Sequence, residues 1–88
     1  MMIYTADKII NSRYVFSYEV APEYIPDKTG KYVYTVVYSL KAYSSGTKRA
    51  VTIKSFDTEE EALEALKKLR NAIKSGRDQI STAELVHQ

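Results

Sequence analysis

The chain has 88 residues, a net charge of +2 and no cysteine, and 44% of its residues are hydrophobic. This length favours a single domain, residues 1–88, with a thin core. The lack of cysteine excludes disulfides and thiolate metal sites, which favours a reducing compartment. The first ten residues lack the pattern of a signal peptide, and apolar runs stay far below the roughly 20 residues that span a bilayer. We therefore expect a soluble, cytoplasmic protein without a membrane partner.

The first two thirds of the chain predict strands. Residues 1–12 form an extension that can add a short strand or a helical turn. From residue 13 to residue 56, apolar and aromatic residues recur at every second position in the runs 14–20, 32–43 and 48–56, which is typical of an antiparallel sheet. The two prolines and the Asp-Lys-Thr-Gly sequence after residue 20 predict a longer loop, and 44–47 predicts a hairpin turn. In the first run, the alternation places on one face Tyr14, Phe16, Tyr18 and Val20.

One amphipathic helix is predicted over about residues 59–75. Thr58 and Glu61 have the spacing of a capping box, in which each side chain satisfies a free amide of the first turn. Apolar residues then recur at the helical period as far as Ile73, and Gly76 suits the left-handed position that ends a helix. The last segment repeats a capping-box pattern but is too short to hold a helix alone, so we expect a flexible tail that is either frayed or docked.

These elements predict an α+β fold in the order β-β-β-α. An antiparallel sheet of three or four strands is followed by one C-terminal amphipathic helix that packs on one face of the sheet. The second face is left to water or to a partner. The expected boundaries are an extension at 1–12, the sheet at 13–56, the helix at 57–76 and the tail at 77–88.

The sequence offers little for catalysis. His87 is the only histidine and lies near the C-terminus, where nothing would orient it, so nucleophile–base pairs cannot be assembled. The carboxylates at the predicted helix start are explained by capping and by the helix dipole. The three glycines lie in separate turns and make no phosphate-binding loop, and no cluster has the spacing of metal ligands. We expect neither an enzyme nor a metal or other cofactor, and no small-molecule substrate is evident.

The most informative stretch is residues 28–56, which contains six Lys or Arg residues and no Asp or Glu. Cations neutralise phosphates, aromatic rings stack on unpaired bases, and a two-stranded ribbon fits the major groove of DNA. The simpler interpretation is a soluble sheet whose lysines protect its edges and whose tyrosines pack the core. The candidate nucleic-acid-binding residues are Lys31, Tyr34, Tyr38, Lys41, Lys48, Arg49 and Lys54.

Three short motifs in the same region carry a resemblance. Gly-Lys-Tyr-Val-Tyr begins at Gly30, Gly-Thr-Lys-Arg begins at Gly46, and Phe-Asp-Thr-Glu-Glu-Glu-Ala begins at Phe56. In this order, over about residues 30–75, the chain resembles the arm-type DNA-binding domains of phage integrases and the related AP2-like domains. The resemblance implies three strands packed by one helix, with DNA contacted by the sheet.

Two hypotheses follow for the function. The leading one is a small, non-enzymatic binding module that contacts nucleic acid, or acts as a regulator, through the basic, tyrosine-rich hairpin. The alternative is a small protein–protein interaction or inhibitor protein of phage or mobile-element type, which would use an exposed sheet face or edge. A homodimer is compatible with both hypotheses.

Overall fold

The computed structural model describes residues 1–29, 34–44 and 49–86, which form six strands and three helices. The predicted α+β class and the C-terminal helix are confirmed. In chain order, the elements are β1 (Met2–Tyr4), β2 (Ile9–Asn11), a 3₁₀ helix (Ser12–Tyr14), β3 (Val15–Pro26), β4 (Tyr34–Ser44), β5 (Ala50–Phe56), α1 (Glu59–Lys74), β6 (Gln79–Ser81) and a second 3₁₀ helix (Thr82–Leu85).

The larger of two sheets, here called the central sheet, is antiparallel and has the order β3-β4-β5. Strand β3 continues through Pro26, so the prolines lie inside a strand and the predicted loop begins later, at Asp27. Both prolines are tolerated because β3 is an edge strand. Pro22 and Pro26 are four residues apart, so their nitrogens point to the same side of the strand. A proline nitrogen has no hydrogen to donate, which suits the free edge of β3 and not the edge that pairs with β4.

The second sheet, here called the terminal sheet, was not anticipated as a separate sheet. Strand β1 lies in its centre, antiparallel to β2 and parallel to β6, so the sheet is mixed. The prediction of a flexible tail is wrong for residues 79–85, because β6 and the second 3₁₀ helix bury Ile80 and Leu85 in the core. The backbone amide of Ser81 donates to Glu84 Oε2 at 3.0 Å, as its capping-box spacing indicates. His87 lies outside the described residues.

Helix α1 starts and ends where its sequence indicates. Thr58 Oγ1 accepts a hydrogen bond from the Glu61 amide at 3.2 Å. In return, Glu61 Oε1 accepts a hydrogen bond from the Thr58 hydroxyl, whereas in a capping box it would accept one from the Thr58 backbone amide. At the other end Gly76 has φ +76°. Its amide donates to the carbonyl of Ile73, and the Arg77 amide donates to the carbonyl of Ala72. This is the Schellman arrangement that stops a helix at glycine.

The core lies between α1 and one face of the central sheet, and the terminal sheet closes one end of it. Four small or apolar α1 residues at helical spacing face the sheet, where alanines allow close approach. A bulge in β5 lets Ile53 and Phe56, which are an odd number of residues apart, both enter the core. The buried apolar residues are Ile3, Leu40, Ala42, Ile53, Phe56, Ala62, Ala65, Leu69, Ala72, Ile80 and Leu85.

The first predicted strand differs from the observed one at its start. Tyr14 belongs to the 3₁₀ helix, and a register shift between Val15 and Ser17 interrupts the alternation. Phe16 is therefore 81% exposed instead of sharing a face with Tyr18 and Val20, which pack against the core. Among the described residues, no helix has both the length and the apolar character needed to cross a membrane.

Candidate nucleic-acid interface

The face of the central sheet that points away from α1 is here called the open face. Successive side chains of a strand alternate between the two faces, and the buried apolar residues of the sheet lie on the α1 side. The register then gives the members of the open face, all exposed or half-buried except Ser39. They are Ser17, Glu19, Ala21, Glu23 and Ile25 of β3, Thr35, Val37, Ser39, Lys41 and Tyr43 of β4, and Ala50, Thr52 and Ser55 of β5.

The centre of the open face is occupied by an ion pair. Lys41 Nζ lies 2.9 Å from Glu23 Oε1, and both side chains are partly shielded from water. The two residues are not directly opposite each other in the register, so their side chains lean along the strands toward the pair formed by Ala21 and Ser39. Ser39 is fully buried and hydrogen-bonds Ser55 across the strands at 2.9 Å between hydroxyl oxygens.

The ion pair shifts the pKa of each partner in the direction that favours its charged form. The hydrogen bond to Lys41 lowers the pKa of Glu23, with a smaller contribution from Ser39. The same contact raises the pKa of Lys41 above its ordinary value. Both groups therefore stay ionised at neutral pH, and the one lysine of β4 on this face is locally neutralised.

Charge divides the open face into two halves. The β3 half carries Glu19 and Glu23 and has no cation of its own. The β5 half consists of hydroxyl, methyl and phenol groups, and Arg49 is exposed just before the strand begins. Lys54 is half-buried at the bulge of β5, opposite Leu40. This pairing places Lys54 on the α1 side of the sheet, at its β5 edge, and not on the open face. Among the described residues, the positive charge nearest the open face and away from the acids of β3 is therefore that of Arg49.

The structure separates the two candidate tyrosines from the open face. Tyr38 lies on the α1 side and packs against the core, opposite Phe56 in the register. Tyr34 lies on the same side as Tyr38, and it is 55% exposed. Within the described part of the sheet, the tyrosine on the open face is Tyr43, which belongs to the tyrosine-rich hairpin but is not among the candidate binding residues. Lys31 and Lys48 lie outside the described residues.

One end of the central sheet is only two strands wide. Strand β5 pairs with β4 from Tyr38 to Tyr43, so the earlier part of β4 pairs with β3 alone. This two-stranded segment, residues 23–26 with 34–37, is here called the ribbon. Its exposed large apolar side chains are Tyr24, Ile25, Tyr34 and Val36.

The sequence could indicate some of this arrangement but not all of it. The alternation of β3 already places Glu19 away from Tyr18 and Val20. That Glu19 and Glu23 lie on the same face as Lys41 depends on which strands pair and in which register, and no local pattern encodes that pairing. Among the described residues, no group of three or more His, Cys, Asp or Glu side chains is placed to hold a metal ion.

Comparison with known proteins gives one match. A protein-family profile described as an Arm DNA-binding domain matches residues 22–73. The matched segment is more than half of the chain and runs from within β3 through β4 and β5 to the last turn of α1. It confirms the resemblance seen in the three short motifs. No curated protein and no solved structure matches the chain.

Proposed function

We propose that this chain, which belongs to the Arm DNA-binding domain family, binds duplex DNA with the β5 half of its open face. The family is one of binding modules rather than catalytic ones, and it makes nucleic acid the expected partner. The observation that supports this half of the sheet is the uneven charge of the face. Acids lie along β3, whereas the exposed Arg49 comes directly before β5, whose open face carries the hydroxyl groups of Thr52 and Ser55.

The chemistry of the β5 half suits the backbone of DNA. Arg49 can neutralise a phosphate and release its counterion. Lys54 starts on the α1 side, and we propose that its long side chain reaches a second phosphate past the free edge of β5. The hydroxyls of Thr52 and Ser55 can donate to phosphate oxygens, and Tyr43 can do so through its phenol. A sheet face of two or three strands can enter the major groove, which is about 12 Å wide. Lys31 and Lys48, at the hairpin ends in the sequence, are proposed as additional phosphate contacts.

Two of the candidate residues have other roles in this proposal. Tyr38 is assigned to the core, because it packs against it on the α1 side. Lys41 is held by Glu23 at 2.9 Å, so it reaches a phosphate only by exchanging one anion for another. The ion pair therefore limits the affinity of the open face for DNA, and removing the carboxylate should strengthen binding.

A titration of random-sequence duplex at several salt concentrations tests the proposal. We expect the double substitution R49E/K54E to weaken binding to all sequences alike and to reduce the log–log salt slope by about 1.8, at about 0.9 per lost contact. We expect Glu23→Gln to tighten binding and to steepen the slope by about 0.9, because it releases Lys41.

The matched control is K67E/K68E, which makes the same change of charge on α1, across the sheet from the open face. Fluorescence anisotropy gives the affinity of each variant, and circular dichroism verifies that it is folded. The proposal is wrong if the wild type fails to bind duplex by tens of micromolar at low salt, or if K67E/K68E weakens binding as much as R49E/K54E does.

The alternative function, protein–protein interaction, is favoured by the ribbon. Tyr24, Ile25 and Tyr34 form an exposed patch of large apolar side chains there. Such a patch is typical of a contact surface for another protein. Under this alternative, Tyr24→Ser with Tyr34→Ser would abolish binding of the partner, and that binding would depend only weakly on salt. Under the DNA proposal, the same two substitutions leave the salt slope for duplex unchanged.

A further inference from the structure

We infer that the chain forms a symmetric dimer in which α1 of one copy packs antiparallel against α1 of the other. The contact surface is here called the α1 flank and consists of Leu63, Leu66, Arg70 and Ile73. It is separate from the core side of the helix, where four other residues are buried against the central sheet. The inference is independent of the proposed DNA contact, because α1 and the open face lie on opposite sides of that sheet.

The first observation is that the α1 flank is apolar and exposed. Leu63 is 47% exposed and Ile73 is 39% exposed, while Leu66 is half-buried. Residues 63, 66, 70 and 73 are separated by three, four and three positions, which is the spacing of the seam along which two helices pack in a coiled coil. The long methylene stem of Arg70 can cover apolar surface while its guanidinium stays in water.

The second observation is a cleft beside the flank that can receive side chains. This cleft has a volume of about 210 Å³. The flank-side cleft lies between β3 and α1 and is mostly apolar. It is lined by Tyr18, Leu66, Leu69, Arg70, Ile73 and Lys74.

The third observation is the distribution of charge along the helix, which identifies the partner as a second copy in antiparallel orientation. Acids occupy the first turn of α1 and bases the last. In an antiparallel pair whose seam brings Leu63 beside Ile73 of the other copy, Glu60 lies beside the second copy's Lys74, and this contact occurs twice by symmetry. A parallel pair would place acids beside acids and bases beside bases. The charges therefore favour one orientation.

Sedimentation equilibrium on the purified chain, from micromolar to several hundred micromolar, tests the inference. We expect the wild type to dimerise and Leu63→Asp to weaken dimerisation by at least about tenfold, because it buries an unpaired carboxylate in an apolar seam. The matched control Asn71→Asp adds the same charge to an exposed position of α1 outside the flank and should leave the dimer unchanged. A monomeric wild type at several hundred micromolar, or a Leu63→Asp variant that dimerises like the wild type, overturns the inference.

Charge reversal tests the orientation. Glu60→Lys should weaken the dimer, because it places two lysines side by side at both ends of the seam, and the double variant E60K/K74E should restore it by exchanging the partners. Circular dichroism melts of each variant separate this effect from a change in helix stability. If the double variant is weaker than Glu60→Lys alone, the antiparallel pairing is wrong. Duplex titration of Leu63→Asp gives a separate result, since the DNA proposal requires that the monomer still bind.

Discussion

At the scale of single residues, two ion pairs differ in what they connect. Lys41 and Glu23 join neighbouring strands within one sheet. Arg77 and Glu84 join the segment after α1 to the second 3₁₀ helix, with Arg77 Nη2 at 2.7 Å from Glu84 Oε1. The second pair links residues seven positions apart on either side of β6, although both of its side chains are close to half exposed.

The Glu84 carboxylate is expected to make part of the stability of the fold depend on pH. The Ser81 amide and the Arg77 guanidinium hold the pKa of Glu84 below its ordinary value of 4.5. A carboxyl whose pKa is lower in the folded state stabilises the fold at neutral pH, and this contribution is lost as the pH falls through the lowered pKa. We expect Glu84→Gln to lower the melting temperature at pH 7 and the difference from wild type to shrink as the pH falls below 4.5. An equal difference at pH 7 and pH 3 would contradict this assignment.

At the scale of elements, α1 shows how far local patterns reach. Its range, its threonine cap and its terminal glycine follow from the sequence because each depends on residues within one or two turns. Which of its leucines is buried does not follow, since Leu63, Leu66 and Leu69 all fit a helical stripe. The structure buries Leu69 completely, half-buries Leu66 and exposes Leu63. The direction in which the stripe faces depends on the position of β3, which lies far away in the chain.

The same distinction gives a stability prediction. Leu69→Ala should lower the free energy of unfolding by about 2–5 kcal/mol, because it leaves a cavity in the core between α1 and β4. Leu66→Ala should cost less than Leu69→Ala, because part of the Leu66 side chain is already in contact with water. Urea unfolding of both variants gives the comparison. Equal losses would show that the core extends over the α1 flank in the free chain.

Sheet pairing is the level at which the sequence interpretation was incomplete. The three strands and their alternation follow from residue periodicity, and the antiparallel order follows from the short hairpin between β4 and β5. Three features do not follow from the sequence: the acids that share a face with Lys41, the bulge that exposes Phe16, and the pairing of β1 with β6. Each depends on the register between segments that are far apart in the sequence. The expected basic face therefore includes residues of β4 and β5 only, and it leaves out β3, whose Glu23 neutralises Lys41.

At the scale of the whole molecule, two layers and an added small sheet account for the shape. The principal extents are 46, 34 and 20 Å, and the smallest is about that of one sheet covered by one helix, given packing distances near 10 Å. The terminal sheet adds Ile3 and Ile80 to the same core as Leu69. It is stabilised by three pairs of residues on each side of β1.

Hydrogen exchange should distinguish the two sheets. The amides of β4 in the centre of the large sheet should exchange slowest, whereas those of β1 and β6 should exchange faster through local opening, because their strands are only three residues long. Ile80→Ala should speed exchange in β1, which pairs with β6, more than in β4. Uniform acceleration in both sheets would instead show that they open as one unit.

The pairing of β1 with β6 also has a consequence for the order in which the protein is made. Met2 pairs with Gln79 and Tyr4 with Ser81, so β1 cannot pair with β6 until 75 or more further residues have been synthesised. The strands from β3 to β5 and helix α1 can assemble from neighbouring segments in the meantime, since closing short loops costs less entropy than closing long ones. During that interval the apolar side chain of Ile3 has no place in a finished core. During synthesis β1 can therefore pair with β2 at once, but it completes the terminal sheet only after β6 has been made.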